Sequence, residues 1–200
     1  MSQTGQRCPW CGSDPLYVHY HDTVWGRPET DDLALFEKLC LDGQQAGLSW
    51  ITILRKQHSY RAAYDDFDPV RIARYDDRKV ADLLQDPGII RNRLKVQSII
   101  KNSRSFLDFK EKDQSFADFL WSFVDHQPRQ NRWQSIAEVP AATTESEAMS
   151  RALKRAGFTF VGPTIVYAFM QATGMVNDHL VGCPAHDECR QLAASLALVR

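Results

Sequence analysis

Apolar residues recur every three or four positions along most of this chain, and strict alternation is scarce. That pattern predicts an all-α fold. Thr30 to Gly43 (TDDLALFEKLCLDG) sets Leu33, Phe36, Leu39 and Cys40 on one face, with acids in the first turn, where the helix dipole favours them, and Gly43 as a stop. RKVADLLQD reads as a short helix ended by Pro87-Gly88, and Arg91 to about Lys110 as a long one. SFADFLWSFVDHQP carries Phe116, Phe119, Leu120 and Phe123 at helical spacing, with Pro128 beyond. TTESEAMSRALKRAG opens on a capping box of Thr144 with Glu147 and closes at Gly157; the next helix starts with Pro163 in its first turn. HDECRQLAASLALVR forms the last helix.

Between the helices around 145–174 lies GFTFVG, a glycine-bounded connection from Gly157 to Gly162. A hairpin of this kind leaves free backbone N–H groups at the start of its second helix, where a phosphate is favoured. Any helical hairpin needs glycines, so this stretch alone does not define a nucleic-acid site.

The chain has 200 residues, enough for one large domain or two small lobes, with 44% hydrophobic and 24% charged residues, as in a globular protein. No apolar run is long enough to span a bilayer, and MSQTGQRC lacks the apolar stretch of a secretory signal, so a cytoplasmic protein without membrane partners is expected. A net charge of −1 excludes a strongly basic nucleic-acid binder but leaves room for a local basic face. Arg91, Arg93, Lys95, Lys101 and Arg104 supply one candidate, and Arg151, Lys154 and Arg155 another; on charge alone both read as solvated helix faces.

Five cysteines form an odd set that does not suggest a disulfide framework. Cys8 and Cys11 lie near one end, followed by His21; His179, Cys183, His186 and Cys189 lie near the other. A Cys and a His from each end make a Cys₂His₂ set, which closes a zinc coordination sphere and ties the chain ends together. His179 and Cys183 sit one helical turn apart, but the surplus of candidates leaves the ligand choice open. Around His21, Tyr17 to Gly26 (YVHYHDTVWG) crowds aromatic rings and imidazoles into ten residues.

The stretches CPW, DPLYVHYHDTVWG, PETDDLALFEKLCLDGQQAGLSWITIL, GIIRNRLKVQSII, FLWSFVDHQP and ALKRAGFTFVGPTIVYAFMQATGMVNDHLVGC run from Cys8 to Cys183. In order and spacing they resemble the type-I 3-methyladenine DNA glycosylases, bacterial repair enzymes of the helix-hairpin-helix superfamily. The resemblance implies one glycosylase unit over 1–200, built of two helical lobes. Its termini, 8–21 and 179–183, would be joined by one structural zinc ion (Zn²⁺) on Cys8, His21, His179 and Cys183. It implies a base pocket of Trp10, Tyr17, Tyr20, Trp25, Asp42 and Trp50, with Asp42 and Tyr20 closest to the chemistry. Gly47 and Leu48 would probe the gap left by an extruded nucleotide, and Gly157, Phe160, Gly162 and Thr164 would hold the DNA backbone. The partner would be double-stranded DNA containing alkylated adenine, met by a monomer. The family carries glutamate where this chain has Asp42, one methylene shorter. Asp178, where the superfamily often has a catalytic aspartate, directly precedes His179 and reads as a supporting or capping group. Cys11, His186 and Cys189 would be bystanders, and His19 an exposed residue without a role. Two other readings compete: a zinc-stapled module that binds lesions without cleaving them, and a zinc-dependent hydrolase with an open coordination position.

Overall fold

The structure is a computed structural model, described over residues 5–196. The expected helical architecture is present, in eleven α-helices among the described residues. Helix α1 spans Pro15–Thr23, α2 Asp32–Gln45, α3 Trp50–Leu54, α4 Gln57–Ala63, α5 Pro69–Ile72 and α6 Asp77–Leu83. Then follow α7 Arg93–Glu111, α8 Phe116–Trp121, α9 Thr144–Arg155, α10 Pro163–Ala172 and α11 Pro184–Ser195. The last stretch of the expected terminal helix, 197–200, lies outside the described residues. Strand is confined to a parallel pairing of β1 (Arg129–Gln130) with β2 (Val176–Asn177), which fixes the backbone just before Asp178. No described helix is long and apolar enough to cross a membrane.

Helix α2 is central, packing against α3, α7, α8 and α10. Its inward residues Phe36 and Leu39 join an aromatic seam in which Phe36 meets Phe106 at 4.9 Å, Phe106 meets Phe116 at 5.3 Å and Phe116 meets Phe158 at 5.4 Å. Two expectations for α2 are corrected. Leu33 is 51% exposed, because the buried stripe runs through Leu35. Gly43 does not end the helix, which continues to Gln45. Its missing side chain serves packing: a Cβ there would sit 3.1 Å from the Phe160 Cβ. Asp31 caps α2 by accepting from the amides of Leu33 and Ala34.

The hairpin joining α9 to α10 is held from outside. Asn102, buried on α7, donates to the Thr159 carbonyl at 3.1 Å and accepts from its amide at 2.8 Å. Ser150 donates to the Val161 carbonyl at 2.6 Å. Gly157 adopts φ +95°, and a Cβ there would lie 2.6 Å from Ser105 Oγ, so only glycine fits the turn. The capping box of α9 is shifted by one residue from the expected one: Thr143 and Ser146 exchange side-chain-to-backbone bonds.

Candidate active site and metal centre

Three elements wall a cavity of about 340 Å³. The YVHYHDT stretch forms α1, because Asp14 caps it and Pro15 occupies its first position. One face of α1 presents Tyr17 and Tyr20 to the cavity and His21 to a neighbouring cluster. Helix α2 contributes Lys38, Asp42 and Gln45, spaced four and three apart. Helix α10 contributes Thr164, Tyr167, Ala168, Gln171 and Ala172, again one helical face. Trp10, Trp25 and Trp50 complete the aromatic wall, and Ile136, Val139 and Pro140 the rim.

All six expected pocket residues therefore line one cavity. Tyr20, Trp25 and Trp50 are buried, while Trp10 and Tyr17 are half-buried. Trp10 packs edge-on against Tyr17 at 5.1 Å and Trp25 at 4.9 Å; Tyr20 meets Trp50 at 5.5 Å. Burial, and next to it the nearby Asp42, pushes the Tyr20 phenol well above its usual range, so it stays a neutral donor and acceptor.

Asp42 is 2% exposed. Lys38, one turn earlier, donates to its Oδ1, whereas its Oδ2 has no hydrogen-bond partner. Burial raises the Asp42 pKa, and Lys38 acts against that rise. Burial lowers the Lys38 pKa, against the pull of Asp42. The Lys38 ammonium also lies 3.9 Å from the centroid of the Trp50 ring, whose Nε1 is buried without a partner.

Asp178 lines the same cavity, but its oxygens are fully engaged. Asn131 and Trp133 donate to Oδ1 at 2.6 and 2.7 Å, and Tyr167 and Gln171 donate to Oδ2 at 2.5 and 2.8 Å. Four donors occupy the lone pairs with which it could activate water, and they tie α10 to the Trp133 segment.

Gly47 and Leu48 form the tip between α2 and α3, flanked by the cavity residues Gln45 and Trp50. Gly47 has φ +74°, and Leu48 is 40% exposed. Gly157 and Phe160 lie within the α9–α10 turn, and Phe160 adopts φ +56°. Gly162 is the N-cap of α10 and has no side chain with which to cap it, so the first-turn amides near Thr164 lack a side-chain partner. Of the basic candidates, Arg91, Arg93, Lys101, Arg104, Arg151, Lys154 and Arg155 are exposed. Lys95 is instead buried, donating to the Gln44 and Ala46 carbonyls at 2.7 Å each. It thereby caps the C-terminal end of α2 beneath the tip.

Cys8, His21, His179 and Cys183 are all buried, and their ligand atoms lie within 4.8 Å of one another. Cys8 Sγ is 3.6 Å from His179 Nδ1, and Cys183 Sγ is 3.5 Å from His21 Nε2 and 3.7 Å from His179 Nδ1. A tetrahedral ion with ordinary zinc–sulfur and zinc–nitrogen bond lengths requires a sulfur–nitrogen edge of about 3.6 Å. The set can hold a metal ion. The outward ring nitrogens are also placed: His21 Nδ1 is 2.7 Å from Asp22 Oδ1, and His179 Nε2 is 3.1 Å from the Trp25 carbonyl. His179 and Cys183 are not on a helical turn as the spacing suggested; they flank a tight turn closed by Cys183 N–H donating to the Leu180 carbonyl. Cys11 donates to the Cys8 carbonyl, His186 lies against the Asn131 carbonyl and Cys189 accepts from Arg27, all outside the set. His19 is exposed.

Sequence reasoning missed Lys38, Gln45, Tyr167 and Gln171. Lys38 and Gln45 carried a signal, helical spacing from Asp42, whereas Tyr167 and Gln171 meet Asp178 only through the fold.

The family model described as methyladenine glycosylase matches residues 10–186. DNA-3-methyladenine glycosylase 1 of Escherichia coli (strain K12) is 54% identical over 178 residues, 89% of this chain and 95% of that protein. DNA-3-methyladenine glycosylase of Haemophilus influenzae (strain ATCC 51907 / DSM 11121 / KW20 / Rd) is 49% identical over 178 residues, 89% of this chain and 96% of that one. A crystal structure of 3-methyladenine DNA glycosylase I superposes with a TM-score of 0.90 at 55% identity, covering 90% of this chain and all of the other. The Staphylococcus aureus enzyme, from a structure concerned with 3-methyladenine recognition, gives 0.87 at 36% identity, with 90% and 95% covered. The chain belongs to the methyladenine glycosylase family.

Proposed function

We propose that this enzyme extrudes 3-methyladenine from alkylated duplex DNA into the aromatic cavity and hydrolyses its N-glycosidic bond, leaving an abasic site. The observation that carries the reading is the buried Asp42 carboxylate, with one unpartnered oxygen, in a cavity walled by tyrosine and tryptophan. A methyl group on N3 makes the base cationic while it is attached to the sugar. The bonding pair then stays with the departing base and cancels its charge, so departure needs little protonation. A cationic ring stacks on the faces of Tyr20, Trp25 and Trp50, at about 0.5–2 kcal/mol per contact. Asp42 Oδ2 accepts from the exocyclic amine and opposes the positive charge that develops on the sugar as the bond breaks. Tyr20, held neutral, orients the base, and Trp10 and Tyr17 close the wall. Gly47 and Leu48 enter the gap in the duplex, while the turn carrying Gly157, Phe160 and Gly162, with Thr164, meets the phosphate backbone.

Cleavage of the strand is not part of the reaction: it requires an amine at the sugar, and Lys38, the lysine that lines the cavity, lies at Asp42 and the Trp50 ring, where the base is received. The metal ion is zinc, held by Cys8, His21, His179 and Cys183. Four protein ligands leave no open position, so it braces one unit of two helical lobes and takes no part in hydrolysis. The enzyme acts as a monomer.

Release of free 3-methyladenine from methylated duplex DNA tests the reading, comparing wild type, Asp42→Asn and Asp42→Glu. Wild type releases the base, and Asp42→Asn loses about 10²-fold or more. Full activity of Asp42→Asn would remove the carboxylate from the mechanism. A silent wild type rescued by Asp42→Glu would make the chain a lesion binder.

A further inference from the structure

Two positions that suit a cationic base, the Asp42 carboxylate and the Trp50 face, are both engaged by a cation of the protein itself. Lys38 donates to Asp42 Oδ1 and lies 3.9 Å from the Trp50 centroid. A base cannot take both positions while the ammonium stays. A second cavity of about 270 Å³ adjoins the first, and Lys38 and Ala172 line both, so they form the partition between them. Glu29, Glu37, Arg27 and Arg61 are among the residues lining that second space. A four-carbon lysine stem rooted in the partition can present its ammonium to either side.

We propose that Lys38 is a movable competitor for the base site, which swings into the second cavity when a base enters and returns to expel the neutral product. The inference rests on the reading of the first cavity as the base pocket. Its logic is a charge account at one buried carboxylate. When Lys38 leaves, Asp42 keeps a counter-charge only if the incoming ring is cationic, as 3-methyladenine is within the nucleotide. Breaking the bond leaves the ring neutral, and Asp42 again favours the ammonium. Asp42 sets the difference between cationic and neutral rings. Lys38 sets the threshold a ring must exceed to remain, so an undamaged neutral base and the spent product both fall below it. Asp42 Oδ2, buried without a partner beside Lys38, is the acceptor an arriving amine takes once the ammonium has moved.

Two measurements test this. In a structure of the wild-type protein bound to 3-methyladenine, Lys38 Nζ is found in the second cavity, away from Asp42 and the Trp50 face. An ammonium still on Asp42 with the base in place overturns the proposal. Calorimetry with neutral 3-methyladenine then compares wild type, Lys38→Met, Lys38→Gln and Asp42→Asn. Both Lys38 variants bind the free base about tenfold tighter or more. They also turn over more slowly in multiple-turnover excision, because the product stays bound longer. Unchanged or weaker binding in the folded Lys38 variants sinks the proposal. Lys38→Gln keeps a donor for Asp42 should Lys38→Met not fold, and the wild-type structure decides if neither does. Weaker binding by Asp42→Asn without tightening in the Lys38 variants ends this inference alone. Unaltered binding by Asp42→Asn ends the reading of the pocket itself.

Discussion

Asp42 and Lys38 set how this site responds to pH. Burial raises the Asp42 pKa, and the ammonium of Lys38 holds that rise back; the Tyr20 phenol, which Asp42 helps to push up, stays neutral. If the ionised carboxylate is the working form, excision declines as pH falls through this raised value, above the range of an ordinary aspartate. Lys38→Gln removes the ammonium from the unliganded site, so the acid limb of kcat/KM moves to higher pH. A limb that stays put, or moves down, shows that Asp42 is not the group that titrates. The sign for stability is opposite to the common carboxylate case. Between the ordinary and raised values the folded state holds a proton that the unfolded state has lost, so stability falls as pH rises through that window. A group that costs the fold in this way is kept for something other than folding. Asp42 was legible in the sequence because a family motif, GQQAGLSW, follows it directly. Its partner stood at helical spacing from it, but an i, i+4 lysine on a helix reads as one more solvent-facing pair until the packing buries it.

At the scale of elements, the α9–α10 hairpin depends on a residue outside it. Asn102 on α7 satisfies both the amide and the carbonyl of Thr159. Asn102→Ala leaves two main-chain groups without partners and costs about 1–3 kcal/mol, read by urea unfolding. Because Asn102 does not line the cavity, the affinity for free 3-methyladenine stays as in wild type while binding to methylated duplex DNA weakens. Equal weakening of both would place the hairpin's contribution in the pocket, not on the DNA backbone. The hairpin's helices were readable from Pro163 and the glycines, but this support from α7 spans 57 residues of chain and leaves no local signal. Helix α1 was passed over for another reason: rings and imidazoles on several faces obscure an apolar stripe, although Asp14-Pro15 is a good start signal. Helices α3 and α5, at five and four residues, are too short for periodicity to register. Gly43 stops a helix only where its backbone must turn; here a close approach by Phe160 uses the same residue differently.

At the scale of the whole molecule, the two chain ends meet at Cys8, His21, His179 and Cys183, and that junction touches the pocket wall. The His21 ring lies 5.2 Å from Trp10, and the His179 ring meets Trp25 edge-on at 4.6 Å. The ligand set therefore ties pocket shape to chain closure. One zinc ion per chain is expected by elemental analysis. Its removal by a chelator frees a loop running from Cys8 to Cys183, and a clip closing a loop on that scale contributes about 4 kcal/mol or more. Thermal unfolding of the stripped protein then begins at lower temperature, and affinity for 3-methyladenine falls with it, because Trp10 and Trp25 lose the rings they pack on. Cys183→Ser reproduces both losses without a chelator. The alternative outcome is equally clear: a stripped protein that keeps its melting temperature and its affinity for the base, yet no longer excises, would move the ion from brace to chemistry. The donor set argues against that outcome, since Cys8, His21, His179 and Cys183 would supply all four corners of a tetrahedron and leave none for water.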